Sequence, residues 1–280
     1  MFRLPLGDYF EVVIDWLKVN GDSFFRGMKE GVLFVINRLE DFLVLIPWWL
    51  LIIIVVLLAW RVSGKKLALL SGIGLSLIYS INLWDEMLVT LALVFGSTLL
   101  ALLIGIPIGI WMAKKDPVEK IMKPVLDFMQ TMPAFVYLIP SVIFFGLGKM
   151  PGAIATIIFA MPPVVRLTDL GIRQVPKDVM EAAASFGSTS GQMLCKVQFP
   201  LAMPTILTGV NQTIMLSLSM VVISAMIGAR GLGEVVLNGV TQMKIGKGFE
   251  GGIAVVILAI ILDRLTQSIG KKSGRKKQGQ

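Results

Sequence analysis

The chain has 280 residues, of which 55% are hydrophobic and 16% are charged, against roughly 25% charged residues in soluble domains. Several apolar runs approach the ~20 residues needed to cross the hydrocarbon core of a bilayer, so the composition predicts an all-α, polytopic membrane protein. A single cysteine, Cys195, and the absence of histidine exclude an internal disulfide framework and argue against a zinc site, a haem site and histidine-based catalysis. The net charge of +8 arises in short segments between apolar runs and in the tail, which is typical of membrane topology and not of nucleic-acid binding.

Residues 1–41 contain no apolar run long enough for the core of a signal peptide, so we expect no cleavage. Apolar residues recur there at steps of three and four, with charged residues between them. This pattern predicts an extracytoplasmic amphipathic helix that lies along the membrane interface and is broken near Asn20-Gly21. A poorly ordered tail is the alternative interpretation.

Seven apolar segments follow as candidate membrane spans. They cover about residues 42–60, 67–83, 87–113, 134–147, 152–165, 203–227 and 251–269. We assign the first two to a peripheral pair within residues 42–83 and the other five to a core membrane domain, residues 84–270. Residues 271–280 form a basic tail.

Positive charge predicts the orientation of these spans. Most of the 26 lysines and arginines fall between alternate spans and in the tail, and such residues accumulate on the cytoplasmic side. The N-terminus is therefore expected outside, and the segment 166–202 and the C-terminus in the cytoplasm, in a multi-pass protein of the cell membrane.

Proline and glycine are dense in the third to fifth spans. The prolines are Pro107, Pro133, Pro140, Pro162 and Pro163. Each removes an intrahelical hydrogen bond, and broken helices often line translocation paths, although ordinary kinked packing is an equal alternative. Gly105 and Gly109 have the spacing of a close-approach helix face, more typical of internal packing here than of a dimer contact.

The segment between the fifth and sixth spans predicts two short helices outside the membrane. Pro176 suits the first turn of a helix, and Gly187 is expected to end that helix in a left-handed cap. Thr189 and Gln192 have the spacing of a capping box that opens a second helix, and Pro200 is expected to terminate it. The small alanines at 182–184 would let another protein approach the backbone closely; a solvated loop with no partner is the alternative.

The sequence contains no phosphate-binding Gly-x-x-x-x-Gly-Lys-Ser/Thr motif. Charged residues are nearly absent from mid-span positions, where ion-coupled carriers usually hold functional acids. Asp169 and Asp263 are expected to pair with Arg166 and Arg264 near the span ends. A transporter with these features needs an external energy source, and the loop is a docking site for a separate ATPase.

Several stretches resemble one transporter family. Glu181-Ala182-Ala183, Gly187 and the Val197-Gln198-Phe199-Pro200 ending resemble the cytoplasmic "EAA" loop of ABC importer permeases, with Val and Phe in place of the usual Ile and Leu. The stretches 127–140, 159–163, 171–176 and 211–222 resemble permeases for glycine betaine, proline betaine and related quaternary amines. The likeness covers about residues 84–270.

The resemblance implies a type I ABC importer permease fold and a non-catalytic subunit. It also implies a homodimer of permeases, two cytoplasmic ATPase subunits that bind ATP and Mg²⁺, and an extracytoplasmic binding protein, with no cofactor in this chain. The ATPase-coupling residues carried over from the family loop are Glu181, Ala182, Ala183, Gly187 and Pro200.

A substrate path inside the membrane is a further expectation, because trimethylammonium groups are attracted to aromatic faces. Its candidate residues are Phe135, Tyr137, Pro140, Phe144 and Phe145, although such rings more often serve as core or lipid-facing residues. A short helix within 228–250 is expected on the outer face, where a binding protein could dock. The basic tail is expected to anchor topology, with sensing of anionic lipid or ionic strength as the alternative.

Other functions remain open from the residues alone. Within ABC importers, the alternative substrates are choline, carnitine or another amino-acid derivative. An ion-coupled secondary carrier and a membrane enzyme are the alternatives of a different class.

Overall fold

The computed structural model describes the backbone of residues 6–278, and within it the side chains of residue 11 and of most residues from 14 to 270. The described residues form helices and connecting turns, with no strand among them. The helices are α1 Leu6–Leu45, α2 Trp48–Ser63, α3 Lys65–Ser80, α4 Trp84–Lys114, α5 Asp116–Thr131, α6 Leu138–Phe145, α7 Lys149–Arg173, α8 Lys177–Ser185, α9 Ser190–Gln192, α10 Phe199–Ile223, α11 Leu232–Thr241 and α12 Ile245–Gln278. The predicted all-α membrane fold is confirmed.

The N-terminal helix is continuous, so the predicted break at Asn20-Gly21 is wrong. Asn20 Nδ2 donates a hydrogen bond to the Trp16 carbonyl oxygen, at 2.9 Å, inside the helix. A glycine in a helix interior costs only about 1 kcal/mol relative to alanine, which a 40-residue helix can absorb. The chain breaks instead before Pro47, where α1 and α2 meet at 102°. Gly64, with a φ of +97°, then turns α2 into α3.

The core consists of α4, α7 and α10, and the contacts of α7 with α4 and with α10 are more extensive than those of any other helix pair in the described chain. The predicted close approach at Gly105 and Gly109 is an internal contact between α4 and α7. A Cβ at Gly109 would lie 2.6 Å from the Val165 carbonyl oxygen, so only glycine fits there. Between α4 and α10, Thr98 Oγ1 donates to Ser217 Oγ at 2.9 Å.

Most intramembrane prolines do not break their helices. Pro107 lies within α4, and Pro162 and Pro163 lie within α7. Neighbouring core helices hold these segments straight enough to continue, as in other packed membrane helices. The break occurs at Pro133, where α5 meets a 3₁₀ turn and α6 at 108°.

Four of the described helices are long and apolar enough to span a membrane singly, and up to six spans result if each bent pair counts as one. The seven predicted spans are therefore not all matched by helices of full membrane length. The predicted segments at 42–60, 67–83 and 134–147 correspond to the shorter α2, α3 and α6.

At the end of the bundle opposite the 175–200 loop, α11 is the short helix expected within 228–250. Its first residue, Leu232, donates its backbone N–H to Thr90 Oγ1 at 2.9 Å, which ties α11 to α4. The tail residues 271–278 continue α12, and their side chains, on which the lipid-sensing prediction depends, lie outside the described set.

Candidate functional site

The 175–200 loop begins with α8, which has the predicted glycine cap at its C-terminal end. Pro176, expected in the first turn, occupies the position directly before the first helical residue. At the other end Gly187 has a φ of +78°. Its N–H donates to the Ala184 carbonyl oxygen at 2.9 Å, and the Ser188 N–H donates to the Ala183 carbonyl oxygen at 3.2 Å. These two bonds are the Schellman pattern that a left-handed glycine permits, so the predicted cap is confirmed.

The second helix of the loop begins at a capping box. Gln192 N donates to Thr189 Oγ1 at 3.4 Å, and Thr189 N donates to Gln192 Oε1 at 2.9 Å. Both bonds were expected from the spacing of the two residues.

The prediction that Pro200 terminates this second helix is wrong. One helical stretch of 38 residues runs from Ser190 to Ile227, and Pro200 lies in the first turn of α10. A π-helical turn at Met193–Gln198 directly precedes it, and this wider turn relieves the clash that a proline ring makes in a regular helix. The loop is therefore joined to a core helix without a break.

The surface of α8 is open. None of its residues is buried, and Glu181 and Ala182 are exposed while Ala183 is half-buried. Phe186, which sequence reasoning did not single out, is 91% exposed at the tip of the loop. Its position directly before the capping glycine was the signal that could have identified it. An aromatic side chain this exposed, on a helix with no buried residue, forms a ready contact point for a partner protein.

The base of the loop is fixed to the core. Ile172 of α7 packs with Ala202 and Ile206 of α10 in a buried cluster. Gln198 Nε2 also donates to the Met180 sulfur at 3.3 Å, which ties α8 to the π-helical turn. Through these contacts α8 meets the π-helical turn that leads into α10, and α10 in turn packs against α7.

An ion-pair cluster lies beside this base and is centred on Arg173. Its guanidinium contacts Asp116 at 2.8 Å, Glu119 at 2.9 Å and Asp169 at 2.9 Å, and it donates to the Met112 carbonyl oxygen at 2.8 Å. The ends of three helices, α4, α5 and α7, are thereby held together.

The expected pairing of Asp169 with Arg166 is wrong, because α5 supplies other partners. Arg166 pairs with Asp127 of α5, which leaves Asp169 to Arg173 one turn further on. Asp263 does not pair with Arg264 among the described contacts. Its carboxylate accepts hydrogen bonds from the Asn211 and Gln267 side chains, at 3.2 and 2.6 Å. A cavity of about 490 Å³ lies between α5, α7 and α10 beside the Arg166 and Arg173 pairs.

The candidate path residues fall into two groups that the fold does not bring together. Tyr137 is buried, its hydroxyl donates to the Met129 carbonyl oxygen, and its ring contacts Phe159 at 5.7 Å. Phe144 and Phe145 pack against Phe25 of α1, with ring centroids 4.4 and 5.9 Å apart. The sequence could not reveal this separation, because it depends on where α1 docks.

The remaining two candidate path residues lie beside these groups. Phe135 is 57% exposed, and Pro140 is half-buried within α6.

Curated relatives match nearly the whole chain. It is 51% identical over 96% of both chains to the glycine betaine transport system permease protein OpuAB of Bacillus subtilis (strain 168). It is 52% identical to the glycine betaine/carnitine transport permease protein GbuB of Listeria monocytogenes serotype 1/2a (strain 10403S), covering 96% of this chain and 97% of that one. The glycine betaine/proline betaine permease ProW of Escherichia coli (strain K12) is 48% identical, with 96% of this chain and 76% of that one covered.

The fold also matches solved structures. The inward-facing methionine ABC transporter MetNI gives a TM-score of 0.58 at 22% identity, covering 67% of this chain and 92% of the matched chain. At that identity the likeness concerns the fold, which is that of a type I ABC importer permease. Residues 105–275 match the family described as "Binding-protein-dependent transport system inner membrane component". The chain is thus an integral membrane protein that belongs to this family of ABC importer permeases.

Proposed function

We propose that this chain is the transmembrane subunit of an ATP-driven importer for glycine betaine or a related quaternary-amine osmoprotectant. The observation that carries the substrate class is the 51% identity, over 96% of both chains, with a glycine betaine permease. In this proposal two copies of the chain assemble with two ATPase subunits and receive substrate from an extracytoplasmic binding protein. The chain itself holds no cofactor, and the ATPase subunits bind ATP and Mg²⁺.

The 175–200 loop is the coupling element of this proposal and faces the cytoplasm, with the N-terminus outside. Basic residues at the loop end of the bundle, among them Arg166, Arg173 and Lys177, support that orientation. The C-terminal tail lies on the same side.

Each coupling residue has a distinct task in docking the ATPase. Ala182 and Ala183 have short side chains, so the ATPase surface can approach the α8 backbone closely. The exposed Glu181 adds a negative charge to this docking face. Gly187 forms the turn at the C-terminal end of α8 and so determines how α8 is oriented toward the ATPase. Pro200 lies at the junction where the loop continues into α10. Closure of the ATPases would push α8 and, through its fixed base, tilt α7 and α10.

The candidate path residues have different roles in this proposal. Phe135 is the most exposed of them, so its ring can meet a passing trimethylammonium group. The Tyr137 hydroxyl donates a hydrogen bond to the Met129 carbonyl oxygen, and in this proposal its fixed ring lines one side of the path. Phe144, Phe145 and Pro140 set the position of α6 next to α1.

Carnitine is a second candidate substrate. The observation that favours it is the 52% identity with a glycine betaine/carnitine permease. Choline and other amino-acid derivatives carry a similar onium group and belong to the same test.

Uptake into proteoliposomes tests the function. The chain is reconstituted with its ATPase subunit and binding protein, and radiolabelled glycine betaine is supplied outside with ATP inside. We expect saturable uptake that is abolished without ATP, and unlabelled carnitine or choline competes only if it shares the route. Uptake that is absent under all these conditions, from a complex that assembles and hydrolyses ATP, would contradict the proposed substrate class.

A further inference from the structure

A second pocket with the chemistry of a cation site lies far from the coupling loop. It has a volume of about 510 Å³ and is formed where the end of α1 and the near ends of α2, α3 and α4 meet. Three aromatic side chains line it, Trp48, Tyr79 and Trp84, and Asp85 lies beside them. The orientation proposed above places this pocket on the outer face of the membrane. All four residues lie outside the segment 105–275 that matches the family.

The three rings form one contiguous cluster. The rings of Trp48 and Tyr79 stack with centroids 4.3 Å apart and planes 18° apart. Trp84 meets Tyr79 edge to face at 6.0 Å and 79°. Each ring comes from a different helix, and the fold brings Trp48 of α2 against Tyr79 of α3, while Trp84 opens α4 shortly after Tyr79. A stacked pair keeps one outer face of each ring available to a ligand.

Single interfacial tryptophans need no ligand to explain them, because aromatic side chains commonly mark the boundary of a bilayer. Trp60 and Trp111, at the other end of the bundle, fit that description. Each is more than half exposed, and neither has a ring partner among the described residues. The cluster of Trp48, Tyr79 and Trp84 differs from them because three rings and a carboxylate line the same cavity.

Asp85 supplies the negative charge of the pocket. It lies in the first turn of α4. It is exposed and makes no ion pair or side-chain hydrogen bond within the described part of the chain. The carboxylate is therefore free to attract a cation held against the rings.

We propose that this aromatic pocket binds quaternary ammonium cations. Such an ion spreads its charge over methyl groups, is weakly hydrated, and is attracted to the faces of tryptophan and tyrosine. Asp85 adds Coulomb attraction for a cation and repels a carboxylate. The pocket therefore prefers choline or tetramethylammonium to glycine betaine, whose own carboxylate would face Asp85. This preference distinguishes it from the transported zwitterion of the proposed function.

The test uses the full chain in nanodiscs of phosphatidylglycerol and phosphatidylethanolamine, which contain no choline group. Tetramethylammonium is titrated into wild type and into Trp48→Leu, Asp85→Asn and Trp111→Leu. We expect saturable binding to wild type, roughly five- to tenfold weaker binding to the first two variants, and wild-type binding to Trp111→Leu. Asp85→Asn is an exposed and nearly isosteric change. It should also reduce the ratio of the affinity for tetramethylammonium to the affinity for glycine betaine.

Two results would overturn the proposal: no saturable binding to wild type, or equal binding to wild type, Trp48→Leu and Asp85→Asn. Nanodiscs that also contain phosphatidylcholine identify the source of the ammonium group. If that lipid suppresses tetramethylammonium binding, the pocket holds a lipid headgroup. If binding is unchanged, the pocket takes the free cation. Either result supports the site, because both require the same rings and carboxylate.

Discussion

At the tip of the coupling loop, Phe186 leaves nearly its whole ring in water, at 91% exposure. Burial of such a side chain in an interface contributes about 2 kcal/mol. We therefore expect Phe186→Ala to weaken the affinity for the ATPase subunit by about 30-fold while leaving the melting temperature of the isolated chain unchanged. Binding of the purified ATPase to the chain in nanodiscs measures the effect.

A matched control for this variant is Phe249→Ala. Phe249 is also well exposed, at 67%, but it lies in α12 near the opposite end of the bundle. The Phe249→Ala chain should bind the ATPase with the same affinity as wild type. Equal loss of affinity in both variants, or none in Phe186→Ala, would remove Phe186 from the docking surface.

Arg173 makes a different kind of contribution, because its partner Asp169 has a side chain only 7% exposed. Removing the guanidinium leaves that carboxylate buried without a cation, which costs about 3 kcal/mol. Arg173→Met should therefore lower the unfolding free energy by roughly that amount, and Asp169→Asn added to it should recover part of the loss. Thermal or denaturant unfolding in one detergent measures both.

Arg166→Met is the comparison for this prediction. Its partner Asp127 is 64% exposed, and pairs of that kind contribute at most about 1 kcal/mol. If Arg166→Met destabilised the chain as much as Arg173→Met, the difference in burial would not explain the role of Arg173.

For individual residues, the sequence predicts the contacts that form between residues close together in the chain. The glycine cap at Gly187 and the capping box at Thr189 involve residues at most five apart, so spacing alone was sufficient. The partner of Asp169 was missed because Arg166 is drawn away by Asp127, 39 residues earlier in the chain. Phe186 was missed because exposure is a property of the assembled fold.

Among the elements, the contact between α4 and α7 depends on glycine. A Cβ at Gly109 would meet the Thr168 Cβ and the Val165 carbonyl oxygen, each at 2.6 Å. Gly109→Ala should therefore force the helices apart and destabilise the chain by about 1–3 kcal/mol. The unfolding free energy in detergent is the measurement.

Gly252→Ala provides the control, because a Cβ at Gly252 meets nothing within 4 Å. There the better helix propensity of alanine should leave stability unchanged or raise it by at most about 1 kcal/mol. A Gly109→Ala chain as stable as wild type would show that α4 and α7 can separate at no cost.

Helix existence was predictable from apolar periodicity, whereas helix ends were not. The helix was expected to break near Gly21 and does not, because one glycine in a helix interior costs only about 1 kcal/mol relative to alanine. Pro107 was placed inside the third span and does lie within α4, since a helix held by packed neighbours tolerates one lost hydrogen bond. Pro133 does follow a helix end, at the bend of 108° between α5 and the segment Ala134–Phe145.

For the whole molecule, the continuous helical stretch Ser190–Ile227 joins the coupling loop to the opposite end of the bundle. A rigid element of that length transmits displacement without needing a chain of separate contacts. Family membership also decides against the secondary carrier and the membrane enzyme left open by composition. In the proposed function a partner ATPase supplies the energy, which makes coupling through α8 the central claim.

The most direct test of that claim is transport by a complex whose loop cannot adopt its turn. Valine at position 187 would occupy a φ of +78°, which a β-branched residue avoids, so Gly187→Val should displace α8. Glycine betaine uptake and ATP hydrolysis are measured in proteoliposomes for Gly187→Val and for Gly191→Ala, a change in the same loop with nothing within 4 Å. We predict that Gly187→Val inserts and folds but loses at least about nine-tenths of ATP-dependent uptake, roughly 1.4 kcal/mol of coupling, while Gly191→Ala transports as wild type does. Undiminished uptake by Gly187→Val would contradict coupling through this loop.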